Sequence, residues 1–220
     1  MPDLDFRVES VAAAPFAATP LLAFRIAVTN AGSEPITSIN LRCQIQIEAP
    51  RRRYSRGDQE RLLDLYGEPA RWGQTLRNLL WTNVTATAPP FTGQTTLELQ
   101  VPCTFDFNVA ATKYFHGLEA GDIPLCFLFS GTVFYDAGDG TPQVAPISWS
   151  KETRFQLPAE TWQQMMDIYY PNSAWLCLRR DVFERLHEYK VRNGSPTFEA
   201  ALGSILDECE SAECERAVER

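Results

Sequence analysis

Apolar and polar residues alternate along most of the first 157 positions of the chain. The longest strict alternation runs from Ile39 to Ile47, where every second residue is apolar and the residues between them are polar or charged. Such a pattern predicts a long strand with one buried face and one face in water. Shorter runs of the same kind cover residues 6–8, 22–29, 97–101, 103–109, 144–149 and 153–157.

The run from Ile123 to Tyr135 differs because its first half is apolar on both faces, which is typical of a central strand. Together the runs predict about seven to eight antiparallel strands without a helix between most of them. The predicted architecture is therefore an antiparallel β-sandwich over residues 1–157, in a chain that is mostly β with some α structure.

Residues 51–80 interrupt the strand pattern and are predicted to form a short helical insertion. Asp58 is placed to cap a first helix that Gly67 ends, and a second short helix is predicted from Pro69 to Leu80. A sandwich rarely needs a connection of this length between neighbouring strands. Long ordered connections usually carry function or cover a sheet edge.

The hydrophobic period lengthens after Pro158 to between three and four residues, which predicts helices. We expect one helix around Trp162, a second from Trp175 to Val191, and a third that opens at Ser195. The second carries a single apolar stripe, namely Leu178, Val182, Leu186 and Tyr189. Residues 158–220 are thus predicted to form a C-terminal helical unit with an acidic tail. Its stripes either pack internally and on the sandwich, or leave a groove for a peptide or a partner helix.

Composition and charge narrow the range of functions. The chain has 220 residues, of which 45% are hydrophobic and 22% charged, and its net charge is −8 at pH 7. These values are typical of a globular protein and argue against a general nucleic-acid binder. The sequence shows neither a secretory signal nor an apolar stretch long enough for a membrane span, so we expect a cytoplasmic protein.

The sequence carries no motif for catalysis. It contains no nucleophile elbow, no phosphate-binding loop, no dinucleotide fingerprint and no His-Glu-x-x-His pair. Its six cysteines form no Cys-x-x-Cys pair, and its two histidines complete no zinc spacing. We therefore predict that the protein is not an enzyme and holds no cofactor or metal. Cys209 and Cys214, in the acidic tail, stay open as candidates for metal or redox chemistry. The remaining cysteines are expected to be buried apolar residues: Cys43, Cys103, Cys126 and Cys177.

The insertion supplies most of the candidates for partner binding, because arginine and aromatic residues dominate interface hot spots. The candidates are Arg51, Arg52, Arg53, Tyr54, Arg56, Tyr66, Trp72 and Trp81. The alternative is structural. The arginines would then keep a strand end from pairing with another chain, and the aromatic rings would pack the insertion onto the sandwich.

Several local strings, taken together, resemble a known family. They are Asp5-Phe6-Arg7-Val8, Leu41-Arg42-Cys43-Gln44-Ile45, Gly67-Glu68-Pro69-Ala70-Arg71-Trp72-Gly73, Phe127 to Phe134, and Tyr170-Pro171-Asn172-Ser173. From residue 5 to about residue 200 the sequence resembles an uncharacterised family encoded in gene clusters for actinobacterial-type, high-affinity uptake nickel-iron hydrogenases.

The resemblance implies that the protein acts together with a hydrogenase, and it supplies no catalytic residues. It implies a non-enzymatic accessory protein that assists the assembly, maturation or stability of a hydrogenase, with hydrogenase subunits or maturation factors as partners. Two alternatives stay open. One is a redox or metal-delivery factor that uses the C-terminal cysteines. The other is a sandwich that binds a carbohydrate or lipid, which the polar outer face of the Ile39–Ile47 strand does not favour.

Overall fold

The computed structural model describes residues 2–106, 108–138 and 140–218, with their side chains as far as residue 211. The chain divides into two units, Met1–Ser173 and Ala174–Arg220. We call the first the sandwich unit and the second the helical unit.

The described part of the sandwich unit contains eight strands. They are β1 (Leu4–Ala13), β2 (Leu21–Asn30), β3 (Ile36–Ile47), β4 (Leu79–Ala88), β5 (Gln94–Pro102), β6 (Asp122–Asp136), β7 (Pro142–Pro146) and β8 (Glu152–Pro158). One sheet has the order β1-β2-β5, and the other has the order β4-β3-β6, with β7 and β8 pairing with different parts of β6. These pairs are antiparallel, so the predicted β-sandwich is confirmed.

Aromatic side chains join the two sheets across the core. Phe6 stacks on Phe129 with 4.4 Å between ring centroids, and Phe24 meets Phe127 edge-to-face at 5.2 Å. β3 buries its odd-numbered residues from Ile39 onward while its even-numbered residues from Asn40 onward reach solvent, as the alternation predicted. β6 lies between β3 and the pair β7 and β8, and its first half is buried on both faces, which confirms its predicted central position.

Five short α-helices complete the described part of the sandwich unit: α1 (Arg56–Arg61), α2 (Leu63–Tyr66), α3 (Trp72–Thr75), α4 (Val109–His116) and α5 (Ala159–Tyr169). The apolar face of α5 is buried, and the Trp162 ring stacks on Phe115 at 5.2 Å. Because this face belongs to the sandwich core, the boundary between the units lies after Ser173, whereas the change of period had placed it after residue 157.

The segment after β5 is a loop and a helix, so the strand predicted over residues 103–109 is wrong. β5 ends at Pro102, and the side chain of Asn108 accepts a hydrogen bond from the Ala111 N–H at 3.0 Å, which caps α4. Phe107 lies outside the described residues. An apolar run this short fits a strand and a helix equally well, and the cap decides between them.

The helical unit contains α6 (Arg180–Arg192) and α7 (Phe198–Val218). α6 begins five residues later than the period predicted. Thr197 accepts a hydrogen bond from the Ala200 N–H at 3.1 Å, so the cap of α7 lies two residues beyond Ser195. Phe198 packs on Phe183 with 5.3 Å between centroids. Among the described side chains of this unit, only Ala201 is buried.

Candidate partner-binding surface

The insertion starts with a reciprocal cap that differs from the cap predicted at Asp58. Ser55 is the N-cap of α1: its hydroxyl accepts the Asp58 N–H at 3.0 Å, and the Asp58 carboxylate accepts the Ser55 N–H at 3.0 Å. Asp58 therefore occupies the third helical position. The helical stretch ends at Gly67, as predicted, where φ is +72° and a side chain would be strained.

Arg52 anchors the insertion to the segment that leads from α4 into the first residue of β6. Its guanidinium donates hydrogen bonds to the main-chain carbonyl oxygens of Asp122, at 2.6 Å, and of Ala120. It also lies 3.8 Å from the Asp58 carboxylate, and only 7% of its side chain is exposed. A buried charge is costly unless it is paired and hydrogen-bonded. These contacts therefore give Arg52 a structural role and leave little of its side chain accessible to a partner.

Asp58 completes the same network from the insertion side. Its carboxylate accepts the Glu119 N–H at 2.9 Å and lies 3.6 Å from the guanidinium of Arg61. Arg61 in turn reaches the Glu119 carboxylate at 3.0 Å. Because these bonds join segments far apart in the sequence, the start of the insertion has a defined position on the sandwich unit.

A cluster of aromatic side chains fixes the rest of the insertion. Tyr54 donates its hydroxyl to the Ala49 carbonyl at 2.7 Å and lies 2.9 Å from the Tyr114 hydroxyl. Trp72 donates its indole N–H to the Gly67 carbonyl at 2.9 Å, and its ring meets Tyr54 edge-to-face. Burial raises the pKa of Tyr54, Tyr66 and Tyr114 further above the ordinary tyrosine value, so their hydroxyl groups keep the proton.

Three of the predicted hot-spot aromatics lie in the core. Tyr66, Trp72 and Trp81 are buried. Trp81 lies on β4 with its ring 4.9 Å from Phe115, and Tyr66 and Trp72 pack against each other. Large aromatic rings contribute most when they are removed from water. These three side chains therefore stabilise the fold and do not form part of the candidate surface.

The remaining arginines of the predicted set are Arg51, Arg53 and Arg56, which are exposed and which we call the arginine surface. Arg51 lies 3.3 Å from the Glu48 carboxylate, and Arg56 lies 3.0 Å from Glu60. Arg53 makes no hydrogen bond or ion pair with another described residue. An open basin of about 410 Å³ lies beside Arg51 and Arg53, and Arg52, Ser55 and Gly121 also line it.

Sequence reasoning missed the residues that hold the insertion from outside it. They are Glu48, Tyr114, Glu119 and Asp122, and Arg154 pairs with Glu48 behind them. Glu48 is a buried carboxylate that pairs with both Arg51 and Arg154, and it raises the pKa of Arg154. No local pattern announces these contacts, because most of the partners lie more than fifty positions apart in the sequence.

The cysteines differ in their access to solvent. Cys43, Cys103 and Cys126, the buried thiols, lie in the sandwich unit, and burial raises the pKa of Cys43 and Cys103 to about 12. Cys177 is exposed in the segment before α6, so the expectation of burial is wrong there. Cys209 is exposed, and the Cys214 side chain lies outside the described residues. Among the described side chains, no three His, Cys, Asp or Glu residues are grouped so that they could hold a metal ion.

The outer face of the five-stranded sheet carries a shallow depression of about 570 Å³. Its lining is mainly polar and without aromatic rings, and includes Asn40, Arg42, Thr85 and Ser130. Gly131 also lines it, with φ at +139°, and a Cβ there would overlap the Asn40 carbonyl oxygen. This lining therefore offers no aromatic ring for a sugar to stack on.

Comparison with solved structures finds distant likenesses. An ApaA protein from Bordetella pertussis is 16% identical with a TM-score of 0.28; the match covers 71% of this chain and 95% of that one. A late embryogenesis abundant protein is 15% identical with a TM-score of 0.31, and the match covers 72% of this chain and 73% of that one. A CARDB domain from Pyrococcus furiosus, in complex with di-metal ions, is 13% identical with a TM-score of 0.26, and the match covers 71% of this chain and 87% of that one. At these scores the likenesses carry no argument about function.

Two further comparisons concern the sequence. A search of curated proteins finds no match. The model of a family of unknown function, DUF6084, matches residues 1–214.

No helix of the described residues combines the length and the apolar character needed to cross a membrane.

Proposed function

We infer the role of this protein from its surfaces. The chain belongs to the family of unknown function DUF6084, so no activity of the family can be carried over to it. The role is that of a non-enzymatic accessory protein that binds a protein partner through the arginine surface. The partner class is a subunit or maturation factor of an uptake nickel-iron hydrogenase. The resemblance of the sequence to proteins from such gene clusters supports this choice of class.

One observation carries the proposal: the start of the insertion is anchored to the sandwich unit, while Arg51 and Arg53 on either side of the anchor are exposed. Arg52 and Asp58 are buried and bonded to the segment before β6, whereas the neighbouring Arg51 and Arg53 are exposed. Preorganised groups lose less conformational entropy on binding than flexible ones. The main chain that carries Arg51 and Arg53 is therefore held in place beside an open basin, so that only their side chains have to be ordered when a partner binds.

The chemistry of the surface indicates an acidic partner segment. The guanidinium group binds carboxylates through two parallel hydrogen bonds, which a lysine cannot do. Arg53 is without a carboxylate partner among the described residues, and Arg51 shares Glu48 with Arg154. Both can accept a carboxylate from another protein. Their contact would weaken at high salt, because surface charges are screened.

The proposal is tested by affinity purification of the tagged, full chain from its native host, followed by mass spectrometry. The wild-type protein should capture a hydrogenase subunit or a maturation factor. The double variant Arg51→Glu/Arg53→Glu should lose that capture by about tenfold or more, as expected for charge reversal at a close ion pair.

The matched control is Arg42→Glu, which reverses an exposed arginine on the outer face of β3. Capture should be unchanged in this variant. The double variant places a carboxylate beside the buried Glu48, so its unfolding temperature should fall, and capture is compared at a temperature at which all variants remain folded. Equal capture by the double variant, or a wild-type protein that captures neither class of partner, would contradict the proposal.

A further inference from the structure

The helical unit leaves an apolar groove open between α6 and α7. The stripe predicted on α6 lines one side of it through Val182, Leu186 and Tyr189, and Leu202 and Ile205 of α7 line the other. The groove has a volume of about 490 Å³. Val182 is 38% exposed, and Leu176, which also lines the groove, is 65% exposed. Contiguous exposed apolar side chains of this kind mark interaction sites.

Charged residues along α6 identify the occupant. Asp181, Arg185, Glu188 and Arg192 succeed one another at spacings of four, three and four, so they lie on one face beside the apolar stripe. Their signs alternate along that face. Arg185, Glu188 and Arg192 belong to the rim of the groove. Arg185 acts on Asp181 only at a distance longer than an ion pair, and Glu188 forms no ion pair with another described residue.

The order of charges along α6 is complementary to the same order in a second helix that runs in the opposite direction. Suppose that two copies of α6 run antiparallel, with a two-fold axis midway between residues 186 and 187. Arg185 then lies opposite Glu188 of the second copy, and Asp181 lies opposite Arg192 of the second copy. Each contact occurs twice, as symmetry requires of a contact between identical surfaces. A parallel arrangement would instead place like charges opposite each other.

We infer that the groove is filled by a second copy of this chain, through an antiparallel contact between the two α6 helices. The apolar stripe of each copy covers the groove of the other, and the charged row sets the register. Both carboxylate oxygens of Asp181 accept hydrogen bonds from Arg179, so the contact with Arg192 of the second copy uses lone pairs that Arg179 leaves free. The inference rests on the helical unit and is independent of the proposed function.

Sedimentation velocity and light scattering of the purified full chain, over a concentration series, provide the test. The wild type should have twice the mass of the chain. The single variants Arg185→Glu and Glu188→Arg each place like charges opposite each other at two contacts, so each should weaken the dimer by about tenfold or more.

Mixing the two single variants separates contacts between copies from effects within one helix. In the mixed dimer, the glutamate introduced by Arg185→Glu faces the arginine introduced by Glu188→Arg, and the remaining pair is likewise opposite in charge. An equimolar mixture should therefore form a dimer more tightly than either variant alone. Arg180→Glu, at a position outside the row, should leave the wild-type dimer intact. Far-UV circular dichroism checks that each variant keeps its helices.

Three results would overturn the inference. One is a wild-type chain that remains a monomer throughout the series, in which case another molecule occupies the groove. The second is a dimer that withstands both charge reversals. The third is a mixture of the two variants that associates no better than its components, because the contact between Arg185 and Glu188 is then not made between copies.

Discussion

Replacing Arg52 by alanine should destabilise the sandwich unit strongly, whereas the same change at Arg53 should have almost no effect. Arg52→Ala removes two charge-assisted hydrogen bonds to the carbonyl oxygens of Ala120 and Asp122. Each such bond contributes about 1.5–3 kcal/mol. The buried Asp58 carboxylate also loses one of its two guanidinium neighbours but keeps two N–H donors and Arg61.

Water that enters the site satisfies part of the lost hydrogen bonding. The net loss in the free energy of unfolding should therefore be about 3–5 kcal/mol. For a unit of this size that corresponds to a fall in unfolding temperature of about 6–20 °C. Arg52→Lys should lie between, since an ammonium group keeps the charge but cannot form the same fork. Arg53→Ala, at an exposed residue without an ion pair among the described residues, should change stability by less than about 0.5 kcal/mol.

Urea unfolding followed by tryptophan fluorescence measures the difference. Four of the five tryptophans lie in the sandwich unit, at positions 72, 81, 149 and 162, so the signal reports mainly on that unit. The slope of the transition should be the same for all variants, as expected when only stability changes. An Arg52→Ala protein as stable as Arg53→Ala would refute the assignment of Arg52 as an anchor and would return it to the arginine surface.

Three further predictions concern other parts of the molecule. In native protein Cys177 and Cys209 should react with a thiol reagent at once, and Cys43 and Cys103 only after denaturation, since they are buried and a pKa of about 12 leaves almost no thiolate at about pH 8. Fast labelling of these two thiols would contradict the packing of the sheets. Gly131→Ala should lower stability by about 3 kcal/mol or more, because its Cβ would overlap the main chain of β3 at a positive φ; a wild-type unfolding temperature would show that the strand can shift. Tyr66→Phe should be neutral or stabilising, because that buried hydroxyl has no hydrogen-bond partner in the described part of the chain. Tyr114→Phe should instead lower the free energy of unfolding by about 1 kcal/mol, because it removes the hydrogen bond with Tyr54. Chemical unfolding of both variants measures the two effects, and the reverse order would disprove the hydrogen-bond assignment.

Local periodicity predicted most of the strands and the faces of the main ones, but it missed β4, where a helix had been predicted as far as Leu80, and it misassigned residues 103–109. The alternation in β3 and the doubly apolar start of β6 predicted both strands and their positions in the sheet. The stripe on α6 predicted the side of that helix that lines the groove. These predictions succeed because a strand repeats every two residues and a helix about every 3.6, so the sequence alone states which residues share a face.

Only the tertiary structure decided what each face touches. The consecutive arginines Arg51, Arg52 and Arg53 are equivalent in the sequence, yet one is buried against the segment before β6 and its neighbours are exposed. The period of α5 predicted a helix but did not show that it packs into the sandwich core. Such outcomes depend on which distant segments meet in space. The energy of a buried charge or ring is set by those neighbours, and no local pattern records them.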